Sequence, residues 1–208
     1  MAAVLRARTG ATIALELGRW HAGSTPAEEA LLASVAEPVL DIGCGPGRLA
    51  ATLATKGRVA LGIDPSPSAV AAARRRGACA LRRDVFGPLP GERRWATALL
   101  LDGNIGIGGD PIALLTRVRQ LLRPGGEVVV EVRPPGTRSE RLVVRLDTGE
   151  TGERGGSGEG GGGPWFGWAV LGADDFPSVA RAAGLRPVDG PCAVVVEGDR
   201  WMGRAVNR

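Results

Sequence analysis

Short apolar runs alternate with helix-like segments through the middle of the chain. The helix-like segments between most of these runs are about ten to fifteen residues long, which is typical of a sheet whose strands are joined by helices. The strand-like runs are VLDIG (39–43), RVALGID (58–64), ACALRRDV (78–85), RWATALLLD (94–102) and EVVVEVRPPG (127–136). This alternation predicts an α/β fold with a mostly parallel sheet covered by helices on both faces.

Residues 1–37 are predicted to form a helical lead-in to this core. Thr25 and Pro26 have the order of an N-cap followed by a proline in the first turn. Glu28 and Glu29 follow, where they would face the positive end of the helix dipole. A helix is therefore expected shortly before the first strand.

The alternation breaks after the fifth strand. RLVVRLD and PWFGWAVLG flank a glycine-dominated stretch, which predicts a hairpin insert over 139–171 with a flexible surface loop at 149–163. Residues 172–208 should then supply a helix within 173–185 and strands within 192–206, where a Gly-Asp pair predicts a tight antiparallel turn.

The composition excludes several classes of protein. No apolar run approaches the ~18 residues that a membrane-spanning helix needs. The first residues lack an apolar block followed by a cleavage site, so a cytoplasmic protein without a signal peptide is expected. The three cysteines form no CxxC pair and His21 is the single histidine, which predicts neither a disulfide framework nor a metal site.

The basic residues give a formal net charge of +4 but form no concentrated patch in the sequence. Apart from the run RRR at 74–76, the arginines are scattered singly. A compositional bias toward arginine, glycine and alanine therefore explains the charge better than nucleic-acid binding does.

The segment DIGCGPGRLA lies at the junction of the first predicted strand and the next helix, where glycines let a ligand approach the backbone. A phosphate-binding P-loop is excluded because no Lys-Ser or Lys-Thr pair occurs. The dinucleotide pattern GxGxxG is also excluded, because Arg48 stands where its third glycine would be. Carboxylates before this motif and at the ends of the next strands make the combination specific.

On these residues the sequence resembles the class I S-adenosylmethionine-dependent methyltransferases. The matching segments occur in the family's order, over roughly 38–133: VLDIGCGPG, LGIDPS, RRDVFGPLP, TALLLDGNI and LLRPGGEVVVEV. The resemblance implies one methyltransferase domain over 1–208, with a doubly wound, Rossmann-like sheet of seven strands whose last strand is antiparallel. It also implies S-adenosyl-L-methionine as the cofactor.

The resemblance assigns cofactor contacts to ten residues. The glycines would pass close to the methionyl part and the ribose, Asp41 would lie near the methionyl ammonium, and Asp64 would accept from both ribose hydroxyls. Asp84 would meet the adenine amine. The full set is Asp41, Gly43, Cys44, Gly45, Gly47, Ile63, Asp64, Asp84, Val85 and Leu101. Cys44 is interpreted as a small motif residue rather than a nucleophile.

The acceptor side is less defined in the sequence. The stretch DGNIGIGGD after the fourth strand lacks the [DNS]PP[YF] pattern of the family's base- and protein-amino methylating enzymes. Its glycines are expected to let the backbone approach a substrate, while Asp102 and Asn104 hold a polar acceptor and His21 takes its proton. A left-handed turn at Asn104 is the equally weighted alternative. The aromatic cluster WFGW (165–168) fits either a hairpin core or a pocket wall.

These observations predict a methyltransferase for a small-molecule acceptor, with oxygen favoured over nitrogen or carbon as the methylated atom. The alternatives are a non-catalytic S-adenosylmethionine-binding protein and an RNA methyltransferase that uses the scattered arginines. A monomer or homodimer without a membrane partner is expected.

Overall fold

The computed structural model describes residues 3–147, 163–188 and 200–208, and within them eleven strands form two sheets. The strands are β1 (Val4–Ala7), β2 (Thr12–Ala14), β3 (Val39–Ile42), β4 (Ala60–Asp64), β5 (Ala80–Arg82), β6 (Trp95–Leu100), β7 (Leu122–Val132), β8 (Glu140–Asp147), β9 (Phe166–Val170), β10 (Leu185–Pro187) and β11 (Trp201–Asn207). The helices are α1 (Leu17–His21), α2 (Pro26–Ser34), α3 (Arg48–Thr55), α4 (Pro67–Arg75), α5 (Pro111–Leu121) and α6 (Phe176–Ala182), with a 3₁₀ segment at Asn104–Gly109.

The large sheet has seven strands in the order β10-β11-β7-β6-β3-β4-β5. The pairings among β5, β4, β3, β6 and β7 are parallel, whereas β11 lies antiparallel to both β7 and β10. The predicted Rossmann-like sheet with an antiparallel last strand is therefore confirmed. The strand order reverses between β3 and β6, the place where open α/β sheets leave a crevice for a ligand.

The core of the large sheet follows from its apolar strands. Every residue of β3 and of β6 is buried, as expected for central strands that have helices on both faces. Phe176 of α6 is fully buried and packs on Gly203, where a Cβ would collide with its ring. The alternation of apolar strands and helices thus produces a layered core with the strand ends free at one edge.

The helices begin where the sequence signals place them. Thr25 caps α2 and forms a reciprocal capping box with Glu28. The hydroxyl of Ser66 accepts from the amide of Ala69 at the start of α4. The carboxylate of Asp110 accepts from two amides in the first turn of α5 and so caps this helix.

The prediction of a helical lead-in over 1–37 is wrong for its first part. The segment begins with the β1–β2 hairpin, and only α1 and α2 are helical. The physical reason is a long-range pairing: β1 lies antiparallel to β8, with Val4 opposite Asp147. A short sequence that can be strand or helix is decided by such tertiary contacts rather than by its own pattern.

The predicted hairpin insert is confirmed, since β8 and β9 pair antiparallel and join β1 and β2 in a four-stranded sheet of order β2-β1-β8-β9. The predicted loop at 149–163 lies outside the described residues except for Gly163, as does the predicted Gly-Asp turn. Within the described ranges, the helices are all too short or too polar to traverse a bilayer.

Candidate cofactor and acceptor site

Two adjoining cavities lie at the carboxyl ends of the central strands. The first cavity has a volume of about 480 Å³ and is lined by the ends of β3 and β4, the turn after β5 and the 3₁₀ segment. The second cavity, of about 610 Å³, lies between the end of β7 and the four-stranded sheet. Trp20, Asp102 and Trp168 line both cavities, so the two spaces meet at these side chains.

The glycine motif forms one wall of the first cavity. Gly43 and Gly45 line it and have positive φ angles of 71° and 53°, a conformation that residues with a Cβ rarely adopt. Gly47 also has a positive φ, but it lies beneath the wall, where a Cβ would come within 2.6 Å of the Cβ of Ala73. Gly47 therefore allows α3 and α4 to pack closely, and it is not among the lining residues.

Asp64 is held rigidly at the end of β4. One carboxylate oxygen accepts from the amide of Gly45 at 3.0 Å and the other from the amide of Ser66 at 2.8 Å. Burial raises the pKa of this carboxyl, while the two amide hydrogen bonds act in the opposite direction. The carboxylate lines the first cavity with lone pairs to spare, since each oxygen can accept more than one hydrogen bond.

Asp41 is a buried acid with an unsatisfied oxygen. Only 2% of its surface is exposed, it lines the first cavity, and its Oδ2 has no hydrogen-bond partner within the described part of the chain. Burial, reinforced by the nearby charge of Asp102, raises the pKa of Asp41 to about 7. A buried acceptor left unpaired costs free energy, so the position suits a ligand that brings a donor or a positive charge.

The turn after β5 supplies an apolar slot. Ile63 and Val85 are buried, whereas Phe86 is 46% exposed, and all three line the first cavity. Asp84 accepts from the amide of Phe86 at 2.9 Å, and Arg117 donates to the carbonyl of Val85 at 3.0 Å. The turn is therefore fixed from both sides, with its apolar side chains toward the cavity.

A buried charge network lies below the junction of the cavities. Asp102 accepts from Arg48 at 2.5 Å and from Arg200 at 3.2 Å, and Arg48 and Arg200 both also contact Glu28. Arg200 further donates to both oxygens of Glu131, at 3.0 and 2.5 Å. Because its carboxylate is occupied by two arginines, Asp102 is poorly placed to remove a proton. It lines both cavities, and its predicted role of holding a polar acceptor stays a prediction.

Asn104 is hydrogen-bonded to the glycine motif, and its predicted contact with an acceptor stays a prediction. Its amide nitrogen donates to the carbonyls of Ile42 and Gly43 at 2.8 and 2.9 Å, which ties the end of β3 to the 3₁₀ segment. The left-handed turn suggested for Asn104 falls instead on Asp102 and Gly103, with φ angles of 55° and 82°. Asn104 lines the first cavity, and its amide nitrogen helps to hold the cavity wall.

Three of the four glycines in DGNIGIGGD lie so close to neighbouring side chains or backbone that a Cβ would not fit. A Cβ at Gly106 would collide with the indole of Trp168, a Cβ at Gly108 would come within 2.7 Å of Phe86, and a Cβ at Gly109 would lie 3.0 Å from Gly167. The expectation that these glycines let the backbone approach a substrate is therefore wrong at Gly106 and Gly109, because β9 fills the space. Gly108 lines the first cavity, although the Phe86 ring occupies the place that its Cβ would take.

The three aromatic residues of WFGW (165–168) lie in two different surroundings. Phe166 and Trp168 line the first cavity with their rings 6.3 Å apart in an edge-to-face arrangement. Trp165 lies outside the cavity, with the guanidinium carbons of Arg8 and Arg145 each 5.1 Å from its ring centre. The pocket-wall interpretation thus holds for two of the three aromatic residues.

Three further predicted residues differ in their position relative to the cavities. Cys44 lines the first cavity, and burial raises the pKa of its thiol, so an unreactive packing residue fits better than a nucleophile. Leu101, fully buried, lines the same cavity. His21 is exposed and lies outside the lining of either cavity, whereas its neighbour Trp20 lines both. The geometry therefore does not bring His21 to the site.

Glu131 and Arg200 line the second cavity, but neither is among the site residues predicted from the sequence. Their pairing joins residues 69 positions apart, and no local pattern marks either of them. Hydrogen bonds and charge from Arg200 lower the pKa of Glu131 even though burial opposes this, so Glu131 stays ionised in the cavity wall.

Comparisons with known proteins find methyltransferases both by sequence and by structure. Residues 39–126 match the family model of the methyltransferase domain. A 37.1 kDa protein of transposon Tn4556 from Streptomyces fradiae is 36% identical over 110 residues, which cover 49% of this chain and 32% of that relative. The matched part is thus about a third of the relative's length.

Solved structures share the fold at low sequence identity. A methyltransferase from Bacteroides fragilis, in complex with S-adenosyl-L-homocysteine, aligns with a TM-score of 0.74 at 18% identity over 99% of this chain and 87% of that chain. A 1,6-didemethyltoxoflavin N1-methyltransferase from Burkholderia thailandensis aligns with 0.59 at 22% identity over 93% and 83%. The amino pentose methyltransferase CalS10 from Micromonospora echinaspora aligns with 0.59 at 18% identity over 92% and 95%.

The sheet order and the crevice at its reversal define a doubly wound, Rossmann-like fold. Residues 39–126 match the methyltransferase-domain model, and the fold is shared with solved methyltransferases, in agreement with the resemblance of the sequence to the class I S-adenosylmethionine-dependent methyltransferases.

Proposed function

We propose that the protein transfers a methyl group from S-adenosylmethionine to a nitrogen atom of a small molecule. The observation that carries the proposal is the junction of the two cavities at Trp20, Asp102 and Trp168. The first cavity has the features of a nucleoside and amino-acid site, and the second offers space for an acceptor beside it. Methyl transfer needs this arrangement, because nucleophile, methyl and sulfur must lie in line.

The residues of the first cavity fit the cofactor. The unpaired Oδ2 of Asp41 would accept from the methionyl ammonium. At Gly45 no atom of the described residues beyond its chain neighbours lies within 4 Å of the place that a Cβ would take, whereas at Gly43 a Cβ would collide with the side chain of Asn104. Asp64, fixed by two amides, would accept from the ribose hydroxyls. Val85 and Phe86 would contact the adenine ring. When bound, the cofactor supplies an activated methyl group on a sulfonium.

We expect cofactor affinity to rise with pH through the range in which Asp41 ionises. The pKa of Asp41 is about 7 in the free protein, and only the carboxylate attracts the ammonium. Affinity for S-adenosylhomocysteine should therefore increase about tenfold from about pH 6 to pH 8 and level off above this range. Calorimetry in buffers of different ionisation enthalpy should also show proton release near pH 6.5, and Asp41→Asn should abolish that release. A flat pH profile in the wild type would contradict this role of Asp41.

The choice of nitrogen follows from the proton-accepting groups around the acceptor cavity. Asp102 and Glu131 are occupied by arginines, and His21 lies elsewhere. Among the described lining residues the remaining acid is the exposed Glu16, and a carboxylate is a weak base for an alcohol. A neutral amine attacks with its own lone pair and can lose its proton to water afterwards. We therefore propose nitrogen as the methylated atom, whereas the sequence alone favoured oxygen.

The similar structures support a small-molecule acceptor. The proteins from Burkholderia thailandensis and Micromonospora echinaspora are described as acting on 1,6-didemethyltoxoflavin and an amino pentose, respectively. A glycopeptide N-methyltransferase aligns with a TM-score of 0.62 over 90% of this chain. Trp20 and Trp168 would form flat walls for an acceptor of this size.

The test uses pairs of small acceptors that differ only by an amine in place of a hydroxyl. The full chain is incubated with S-adenosylmethionine carrying a deuterated methyl group, and products are measured by mass spectrometry. We expect transfer to amine members of the panel and S-adenosylhomocysteine formation in equal amount. Transfer to hydroxyl members alone would overturn the choice of nitrogen. Binding of the cofactor with no transfer to any member of a broad panel would favour the non-catalytic alternative.

A further inference from the structure

The short helix α1 forms a wall shared by both cavities. Trp20 lines the first and the second cavity, and Arg19 lines the second. Yet α1 contains no buried residue, so no apolar side chain anchors it in the core. A helix of this length is also not stable by itself. Whatever holds α1 over the cavities must therefore be largely polar.

Arg76 holds the carboxyl end of α1. Its guanidinium donates from Nη1 to the carbonyl oxygen of Trp20 at 3.1 Å and from Nη2 to the carbonyl oxygen of His21. The last carbonyls of a helix lack partners within the helix, and a cationic donor satisfies them while complementing the dipole. Over the described ranges, no other side chain is hydrogen-bonded to the backbone of Leu17–His21.

The remaining contacts leave α1 dependent on this arginine. Arg19 lies 3.7 Å from Asp102, an ion-pair distance too long for a hydrogen bond. After α1 the chain is fixed again only at Ser24, whose hydroxyl lies 2.7 Å from that of Thr52. The segment between has Gly23, which adds backbone freedom. Loss of the Arg76 bonds would thus free α1 without disturbing α2.

We propose that Arg76 is a positioning residue for methyl transfer, which fixes α1 and so keeps Trp20 at the junction of the cofactor and acceptor cavities. The inference rests on the proposed function. Arg76 is the C-cap residue of α4 and does not itself line either cavity, so it acts through Trp20. Arg76 thereby has a structural role, whereas the sequence analysis attributed the arginines to compositional bias.

The same run provides a matched control. Arg75 is exposed, and no hydrogen bond or ion pair is found for its side chain within the described residues. Arg75→Ala removes an equal charge from the same helix end but leaves α1 untouched. Arg76→Lys keeps the charge and can reach a carbonyl, although without the planar fork that spans two of them.

The first measurement is hydrogen–deuterium exchange of the ligand-free full chain. In Arg76→Ala the amides of 18–22 should exchange about tenfold faster than in the wild type and in Arg75→Ala, because local opening becomes easier. Arg76→Lys should fall between. The thermal midpoints should agree within about 2 °C, since α1 buries no core residue. Equal exchange in Arg76→Ala and Arg75→Ala would overturn the proposal.

The second measurement is the dissociation rate of S-adenosylhomocysteine by stopped flow, followed by tryptophan fluorescence. We expect dissociation from Arg76→Ala to be about tenfold faster than from Arg75→Ala, with partial rescue in Arg76→Lys. Faster exchange of 18–22 with unchanged dissociation would overturn the positioning role. Failure of the wild type to bind S-adenosylhomocysteine would refute the proposed function instead, and the exchange data would still decide whether Arg76 holds α1.

Discussion

Replacing Asp64 with alanine should weaken binding of S-adenosylhomocysteine by about tenfold or more. The change removes two expected hydrogen bonds to the ribose, each made to a charged acceptor and therefore stronger than a neutral one. It also releases the amides of Gly45 and Ser66, which the carboxylate now holds at 3.0 and 2.8 Å. Titration calorimetry of the purified variant measures the loss.

Asp64→Asn is the informative companion variant. It keeps the shape of the side chain and one acceptor oxygen but removes the charge, so its affinity should lie between those of the wild type and Asp64→Ala. Thermal melting of each variant separates a local effect from unfolding. If Asp64→Ala bound S-adenosylhomocysteine within about twofold of the wild-type affinity, Asp64 would not be a cofactor-binding residue.

The second large effect concerns stability rather than binding. Glu28→Ala should lower the free energy of unfolding by about 3–5 kcal/mol, because it leaves Arg48 and Arg200 buried with one carboxylate fewer. Glu28 is 0% exposed, whereas Arg48 and Arg200 are 3% and 8% exposed. Urea unfolding followed by circular dichroism measures the difference.

Glu29→Ala is the matched control on the same helix. Glu29 pairs with Lys56 at 2.7 Å, but the two side chains are 46% and 43% exposed. A surface pair of this kind contributes about 0–1 kcal/mol, so this variant should remain close to the wild type. Similar losses in the two variants would contradict the account of the network.

The pH dependence of the Glu28 contribution has a definite sign. Burial opposes ionisation, but hydrogen bonds from Thr25, Arg48 and Arg200 outweigh it, and the pKa of Glu28 is lowered. The stabilisation is therefore present above the ordinary pKa of a glutamate and is lost as the pH falls through the folded value. The stability gap between the wild type and Glu28→Ala should shrink under acid conditions.

The large sheet can be predicted well because its parallel strands are marked by residues that are close together in the sequence. Asp41 and Asp64 each end an apolar run, and the carboxyl ends of parallel strands meet at one edge, so these carboxylates had to come together. The capping signals of Thr25 and Asp110 are equally local. The fold and the position of the candidate cofactor cavity could therefore be predicted without coordinates.

The acceptor side could not be predicted because it depends on long-range contacts. The charge network joins Glu28 to Arg200 across 172 positions, and this pairing determines that Asp102 is an ion-pair partner rather than a free base. The strand β1 forms because β8 lies beside it. The role of Gly106 depends on Trp168, which comes from the insert. None of these contacts has a signal in the neighbouring sequence.

Calorimetric titration of the purified full chain with S-adenosylhomocysteine, with NADH titrated in parallel, tests directly whether the protein binds the proposed cofactor. We expect saturable binding of one S-adenosylhomocysteine per chain and no measurable heat with NADH, since Arg48 replaces the glycine that a dinucleotide fold requires. Absence of S-adenosylhomocysteine binding, or preferential binding of NADH, would contradict the proposed cofactor.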